Sequence, residues 1–199
     1  MKLYKQTTDY TCAACSLMMI INHFVPTFKL SRENEFLIWR ETVNLPTRAS
    51  SIYGMACFAK KIGVDVKVFL EEKEYDYPDY RFKGYTKKEI DDAKYMSRLF
   101  AKELFSLEIS LEEKEISVNE VFTLLDAGKI LLLRVNAGSL RSTRSTSKYL
   151  PFFKSQDSNL ITVLDPIKGE LLICRQALEE SFKTLQTKKK RDHRMLVFG

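Results

Sequence analysis

Apolar residues recur at helical spacing over Cys12–Phe24, where Leu17, Ile20, Ile21 and Phe24 share one stripe. Ser31 is placed to cap a second helix, from Arg32 to about Glu41. A third runs from about Ile52 to Ile62 and stops at Gly63, before a strand that alternates Val64, Val66 and Val68. Thr86–Phe105 has a helical pattern. Ser117 and Glu120 form a capping box ahead of a helix carrying Val121, Leu124 and Leu125, which ends at Gly128.

The second half changes period. Ile130–Val135 is a short apolar run of the kind a buried strand needs, and further strands are expected at about Tyr149–Phe153, Leu160–Leu164, Leu171–Cys174 and Met195–Phe198. A helix over Gln176–Leu185 precedes the last of them. Two stretches read as loops: acidic, tyrosine-rich Glu71–Tyr85, and Ala137–Ser147, whose Gly, Ser, Thr and Arg content predicts mobility. Helices first and strands late define an α+β organisation, here one domain over residues 1–199.

Composition is that of an ordinary water-soluble domain, with 45% hydrophobic and 29% charged residues. The apolar runs Leu17–Ile21 and Ile130–Leu133 are too short to span a bilayer, and Met1–Lys5 has no signal-peptide character, so a cytoplasmic protein is expected. The net charge of +6 is concentrated in Arg141, Arg144 and Lys148 and in Lys188–Arg194. No nucleic-acid motif accompanies these clusters, and a solvated face is expected for them.

Four cysteines, Cys12, Cys15, Cys57 and Cys174, are too sparse for a disulfide scaffold, and their spacing with His23 and His193 forms no metal set. No cofactor is expected. Cys12 falls where the first helix begins, and a helix N-terminus favours thiolate. Gln6, half a dozen residues earlier, can fold back and join the Cys12 N–H as an oxyanion donor. Tyr10 and Ala13 are candidates for lining a substrate cleft, the small Ala13 and Ala14 allowing a peptide backbone close.

The segment Gln6-Thr7-Thr8-Asp9-Tyr10-Thr11-Cys12-Ala13-Ala14-Cys15-Ser16-Leu17-Met18-Met19 resembles the signature of the papain-like cysteine peptidases that process double-glycine bacteriocin leaders. The block Glu35-Phe36-Leu37-Ile38-Trp39-Arg40-Glu41 is similar to one that follows the signature in a stand-alone branch of that family. Gly54–Val64 and the late Asp165-Pro166 are similar as well. The resemblance implies a papain-like fold, a helical lobe packed on an antiparallel sheet. It further implies Cys12 as nucleophile, Gln6 as oxyanion donor and Asp165 as the carboxylate that orients a histidine.

That histidine is where the chain departs from the family. Its expected place, a strand start one hairpin before Asp165-Pro166, reads Lys148-Tyr149-Leu150-Pro151. An ammonium stays charged at neutral pH and cannot take the thiol proton, though it can favour thiolate. Pro151 suggests an edge or irregular strand. His23 lies about 16 Å along the first helix from Cys12, beyond reach; His193 sits in a basic segment expected to be solvated.

Three functions stay open at this point. One is a catalytically degenerate member that binds a peptide or protein segment. Another is an active cysteine peptidase or acyl transferase with Lys148, His193 or water as base. The third is a thiol–disulfide protein using Cys12 and Cys15, whose C-x-x-C spacing lacks the preceding strand of redox motifs.

Overall fold

The central strands carry apolar side chains on both faces, and their residues divide by parity between two cores. The computed structural model describes residues 1–74, 84–157 and 159–199. Its helices are α1 (Cys12–Phe24), α2 (Arg32–Thr42), α3 (Ile52–Lys61), α4 (Lys87–Ser106), α5 (Val118–Asp126), α6 (Ala137–Leu140) and α7 (Arg175–Lys189). Strands β1 (Val43–Asn44) and β2 (Ala49–Ser50) form a small ladder. The strands β3 (Val66–Leu70), β4 (Leu111–Glu113), β5 (Ile130–Asn136), β6 (Ser147–Lys154), β7 (Leu160–Asp165), β8 (Gly169–Cys174) and β9 (Arg194–Phe198) form one sheet. Its order is β4-β3-β9-β5-β6-β7-β8, and only the β3–β4 pair is parallel. The expected α+β arrangement, a helical lobe on an antiparallel-rich sheet, is what the chain adopts.

On β5, Ile130 and Leu132 face α1–α3, whereas Leu131, Leu133 and Val135 face α5 and α7. On β9 the same division separates Leu196 and Phe198 from Met195 and Val197. A sheet covered on both faces needs such continuous apolar runs rather than clean alternation with polar residues.

The helix boundaries follow from capping chemistry. Ser31, Ser51 and Ser117 each accept a hydrogen bond from a first-turn backbone N–H, and Thr86 with Glu89 forms a reciprocal box. Gly63 and Gly128 end α3 and α5 with φ of +87° and +78°, a backbone shape that costs glycine least.

Three expectations are corrected. Ala137–Ser147 is not a mobile loop: it contains α6, and the Arg141 side chain is buried. Strand β6 is not a sheet edge by order, since it lies between β5 and β7. Its ladder to β7 nevertheless begins only at Phe152, one residue after Pro151, so its first half is paired on one side alone. Helix α1 docks along that half, and Ser16 Oγ donates to Tyr149 O at 2.9 Å. Third, His193 is buried rather than solvated. Of the loop expected over Glu71–Tyr85, residues 75–83 lie outside the described residues.

Strands β5 and β9 are also joined through charge. Asp192 sits between Arg134 and Arg194: Arg134 bonds both its carboxylate and its backbone oxygen, and Arg194 Nε donates to Oδ2 at 2.6 Å. Burial alone would raise the Asp192 carboxyl, but the two guanidiniums hold it below its ordinary value. Its contribution to stability is therefore complete above the ordinary carboxylate pKa near 4 and is lost as pH falls through the lower folded-state value. Asp192→Asn, which removes the carboxylate that the two guanidiniums share, should cost about 3–5 kcal/mol in urea denaturation at pH 7. A loss below about 1 kcal/mol would show the pair to be incidental.

Candidate active site

The chain ahead of α1 is wrapped around one carboxylate. Glu35, on α2 and fully buried, accepts at Oε1 from the Thr7 N–H (2.9 Å) and the Thr11 hydroxyl. At Oε2 it accepts from the Thr7 hydroxyl (2.9 Å) and the Tyr4 hydroxyl (3.2 Å). Thr8 Oγ1 accepts from the backbone N–H of Thr11 at 3.2 Å, and Gln6 N–H donates to Pro166 O at 3.0 Å. These bonds fix the turn that delivers Cys12 to the first position of α1, a helix end that no side chain caps. The sequence reading passed over Glu35. Its one signal was an acidic residue on the apolar side of a helix, beside Ile38.

Cys12 lies where the two cores meet. Its neighbours along α1, Ala14, Leu17 and Met18, belong to the core against α2 and α3, whereas Cys12 itself packs with Leu133, Val135 and Leu150 of the other. Only 2% of its surface is exposed, and Sγ lies 3.8 Å from Tyr149 O. Burial pushes the thiol up to about 11 and Asp165 adds to the rise, while Lys148, Arg141 and a hydrogen bond with Ser16 act against it. Burial wins, so the thiolate that the helix start and Lys148 were expected to favour does not form at neutral pH. A pKa of about 11 leaves roughly one thiolate in ten thousand at pH 7.

Asp165 is fully buried and already occupied. Arg141 grips it with two bonds, Nε to Oδ2 at 2.5 Å and Nη2 to Oδ1 at 2.8 Å. The backbone N–H groups of Ile167 and Lys168 add bonds to Oδ1 at 2.8 and 3.2 Å. This is the bidentate, charge-assisted geometry that suits arginine and not lysine. Arg141 had been read as part of a solvated loop; nothing local in the sequence singles it out.

A cleft of about 240 Å³ opens beside Cys12. Tyr10, Cys12 and Ala13 line it from the start of α1, and Ser147, Lys148 and Tyr149 from β6. Asn44–Ile52 contributes a second wall, and Arg134, Arg191 and Arg194 complete it. The expected cleft residues Tyr10 and Ala13, and the two residues at the histidine's expected place, thus come together around the thiol. Gln6 and Asp165 do not line the cleft. Gln6 Nε2 donates to Thr8 O within its own loop, leaving Oε1 buried without a partner.

Neither histidine reaches the cleft. His193 is stacked on Phe182, and its Nδ1 pairs with Glu71 at 2.8 Å. His23 lies exposed at the far end of α1, edge-on to Phe24. Cys15 is a free thiol like Cys12, but it points to Glu35, and burial with that carboxylate pushes it far up. Trp39 is half-buried and packs against the helical core. It tilts against Tyr10 with ring centroids 5.1 Å apart and donates to Arg48 O, while Arg40 and Glu41 form an exposed ion pair. Among the described residues no group of His, Cys, Asp and Glu could hold a metal, and no helix is long and apolar enough to cross a membrane.

The arrangement is that of a cysteine-peptidase-like α+β domain, with the thiol at a helix start between a helical lobe and a sheet. The chain belongs to the family described as Peptidase_C39 like, whose pattern matches residues 1–184. Among solved structures it is similar to the crystal structure of the Pseudomonas avirulence protein AvrPphB, at 8% identity and a TM-score of 0.38, covering 100% of this chain and 97% of that one. No curated protein matches it.

The raised thiol is measurable. Alkylation of Cys12 by iodoacetamide, followed by peptide mapping to separate it from exposed Cys174, should accelerate about tenfold per pH unit up to about pH 10. A plateau near pH 8.5 or below would show that the thiol ionises as readily as a free one.

Proposed function

We propose that this chain is a papain-like, single-domain member of its family that keeps the cysteine, has lost hydrolytic turnover and binds a peptide or protein segment in the cleft at Cys12. The resemblance of Gln6–Met19 to the signature of the double-glycine leader peptidases supports a peptide as the occupant. The four free cysteines suit the reducing cytoplasm as its place of action.

One observation carries the reading. Asp165, the carboxylate that would orient a histidine, is bound by an arginine. Acyl transfer through a thiol needs a group that accepts the thiol proton and later protonates the leaving amine. Arg141 cannot do so, because a guanidinium does not release its proton in proteins. Lys148 carries the positive charge nearest in effect to the thiol, and an ammonium has no lone pair with which to accept its proton. The protonated thiol and the inward-turned Gln6 amide point the same way.

A library of unfolded peptides incubated with wild type and with Cys12→Ala should yield no cleavage in either. Cleavage by wild type that vanishes in Cys12→Ala would replace this reading with an active peptidase using an unusual base. Lys148→His alone should also stay below detection, because its imidazole would find Asp165 engaged by Arg141. Turnover in that single variant would show the arginine to be dispensable to the blockade.

A further inference from the structure

The cleft is more basic than the chain as a whole. Among the described residues that line it, four are cations, Arg134, Lys148, Arg191 and Arg194, and none is an acid. Among the described residues the Lys148 side chain has no hydrogen bond or ion pair; it is partly exposed, and its charge is felt at the Cys12 sulfur. In a cleft with low-dielectric walls such a field is focused rather than screened, and it raises the local concentration of anions. Thr47, Ser50 and Ser51 line the cleft as well, with their hydroxyls bonded to Asn44 O, Thr42 Oγ1 and the Gly54 N–H.

We infer that the cleft beside Cys12 selects an acidic peptide segment, with Lys148 receiving a carboxylate of the bound chain. This rests on the peptide-binding reading above and names its ligand class. Shape favours a peptide over nucleic acid. A volume of about 240 Å³ falls below the roughly 300–1,000 Å³ of pockets that engulf a drug-sized ligand, so it admits one or two side chains of an extended strand. Binding of single-stranded nucleic acid uses open aromatic faces for base stacking. Here Tyr10 is packed between Trp39 and the Arg48 guanidinium, and Tyr149 is faced by Arg134.

Fluorescence anisotropy on the full chain tests this with a labelled Glu-rich decapeptide, its Gln-for-Glu counterpart and an oligonucleotide of equal charge. The acidic peptide should bind at least tenfold tighter than the Gln peptide and weaken several-fold between 50 and 200 mM salt. Lys148→Gln should reduce the preference and Lys148→Glu abolish it; both variants should keep the wild-type thermal midpoint, since Lys148 has no partner to lose. Equal binding of both peptides would overturn the charge selection while leaving peptide binding in place. No binding of either peptide would overturn both readings. Tighter binding of the oligonucleotide would assign the cleft to nucleic acid instead. Cleavage of the acidic peptide alone would uphold the selection and overturn only the loss of turnover.

Discussion

The buried carboxylate of Glu35 is the constraint on which the site depends. A carboxylate taken out of water is costly unless its lone pairs are filled, and here four donors from Tyr4, Thr7 and Thr11 fill them. Those donors span the polar stretch before α1, which has few apolar side chains with which to hold itself in place. Because one atom group satisfies both ends of the stretch, the path from Tyr4 to Thr11 is fixed, and with it the residue at which α1 starts. The same carboxylate raises Cys15 and, together with burial, takes the Tyr4 hydroxyl to about 12. Glu35 thereby separates the two thiols of the C-x-x-C pair: Cys15 faces a buried anion, and Cys12 faces the sheet.

Where Cys12 then lands is decided by β6. Its first half lacks a partner on the β7 side, which leaves the Tyr149 carbonyl available to α1. Ser16 satisfies that oxygen with a bond of ordinary length, and the Cys12 sulfur lies against it at a longer distance. Docking a helix start against a half-open strand brings the thiol to the seam between two apolar cores. Desolvation at that seam outweighs the helix end and both nearby cations, and the thiol stays protonated. The features that make a nucleophile position easy to spot in a sequence are present; the burial that cancels their effect comes from residues more than a hundred positions away.

The same contrast separates what was legible in the chain from what was not. Helices α2, α3 and α5 could be read almost to the residue, because Ser31, Ser117, Gly63 and Gly128 act locally at their ends, and α1 could be read from its apolar stripe. Strand β5 could be read from its apolar run. The central place of β9 could not, since it follows from pairing with β3 and β5 rather than from Met195–Phe198 themselves. Arg141 lay hidden in a segment whose composition indicates a loop, and its partner Asp165 is twenty-four residues on. His193 was misplaced for a related reason: its basic neighbours suggest solvent, but Glu71 and Phe182 enclose it. In the candidate site, Cys12, Tyr10 and Ala13 were legible from the helix start and its small residues, and Lys148 and Tyr149 from the family resemblance, whereas Glu35 and Arg141 needed the fold.

On the proposed reading, Arg141 also accounts for how the fold keeps its buried Asp165 without a histidine beside it. A buried carboxylate at Asp165 with no cationic partner would be strongly destabilising, so the fold requires a positive or donor group against it. Catalysis would require something more, a partner whose proton can leave and return near neutral pH. Imidazole meets both demands; guanidinium meets only the first, and does so with two bonds of fixed geometry. On that reading, with Arg141 in place the residue at 148 has no duty toward Asp165. Its ammonium can then turn to the cleft, where it adds to the field of Arg134, Arg191 and Arg194. On the proposed reading, the two departures from the family pattern belong together: one satisfies the buried acid, and the other recasts the site as a receptor for charge.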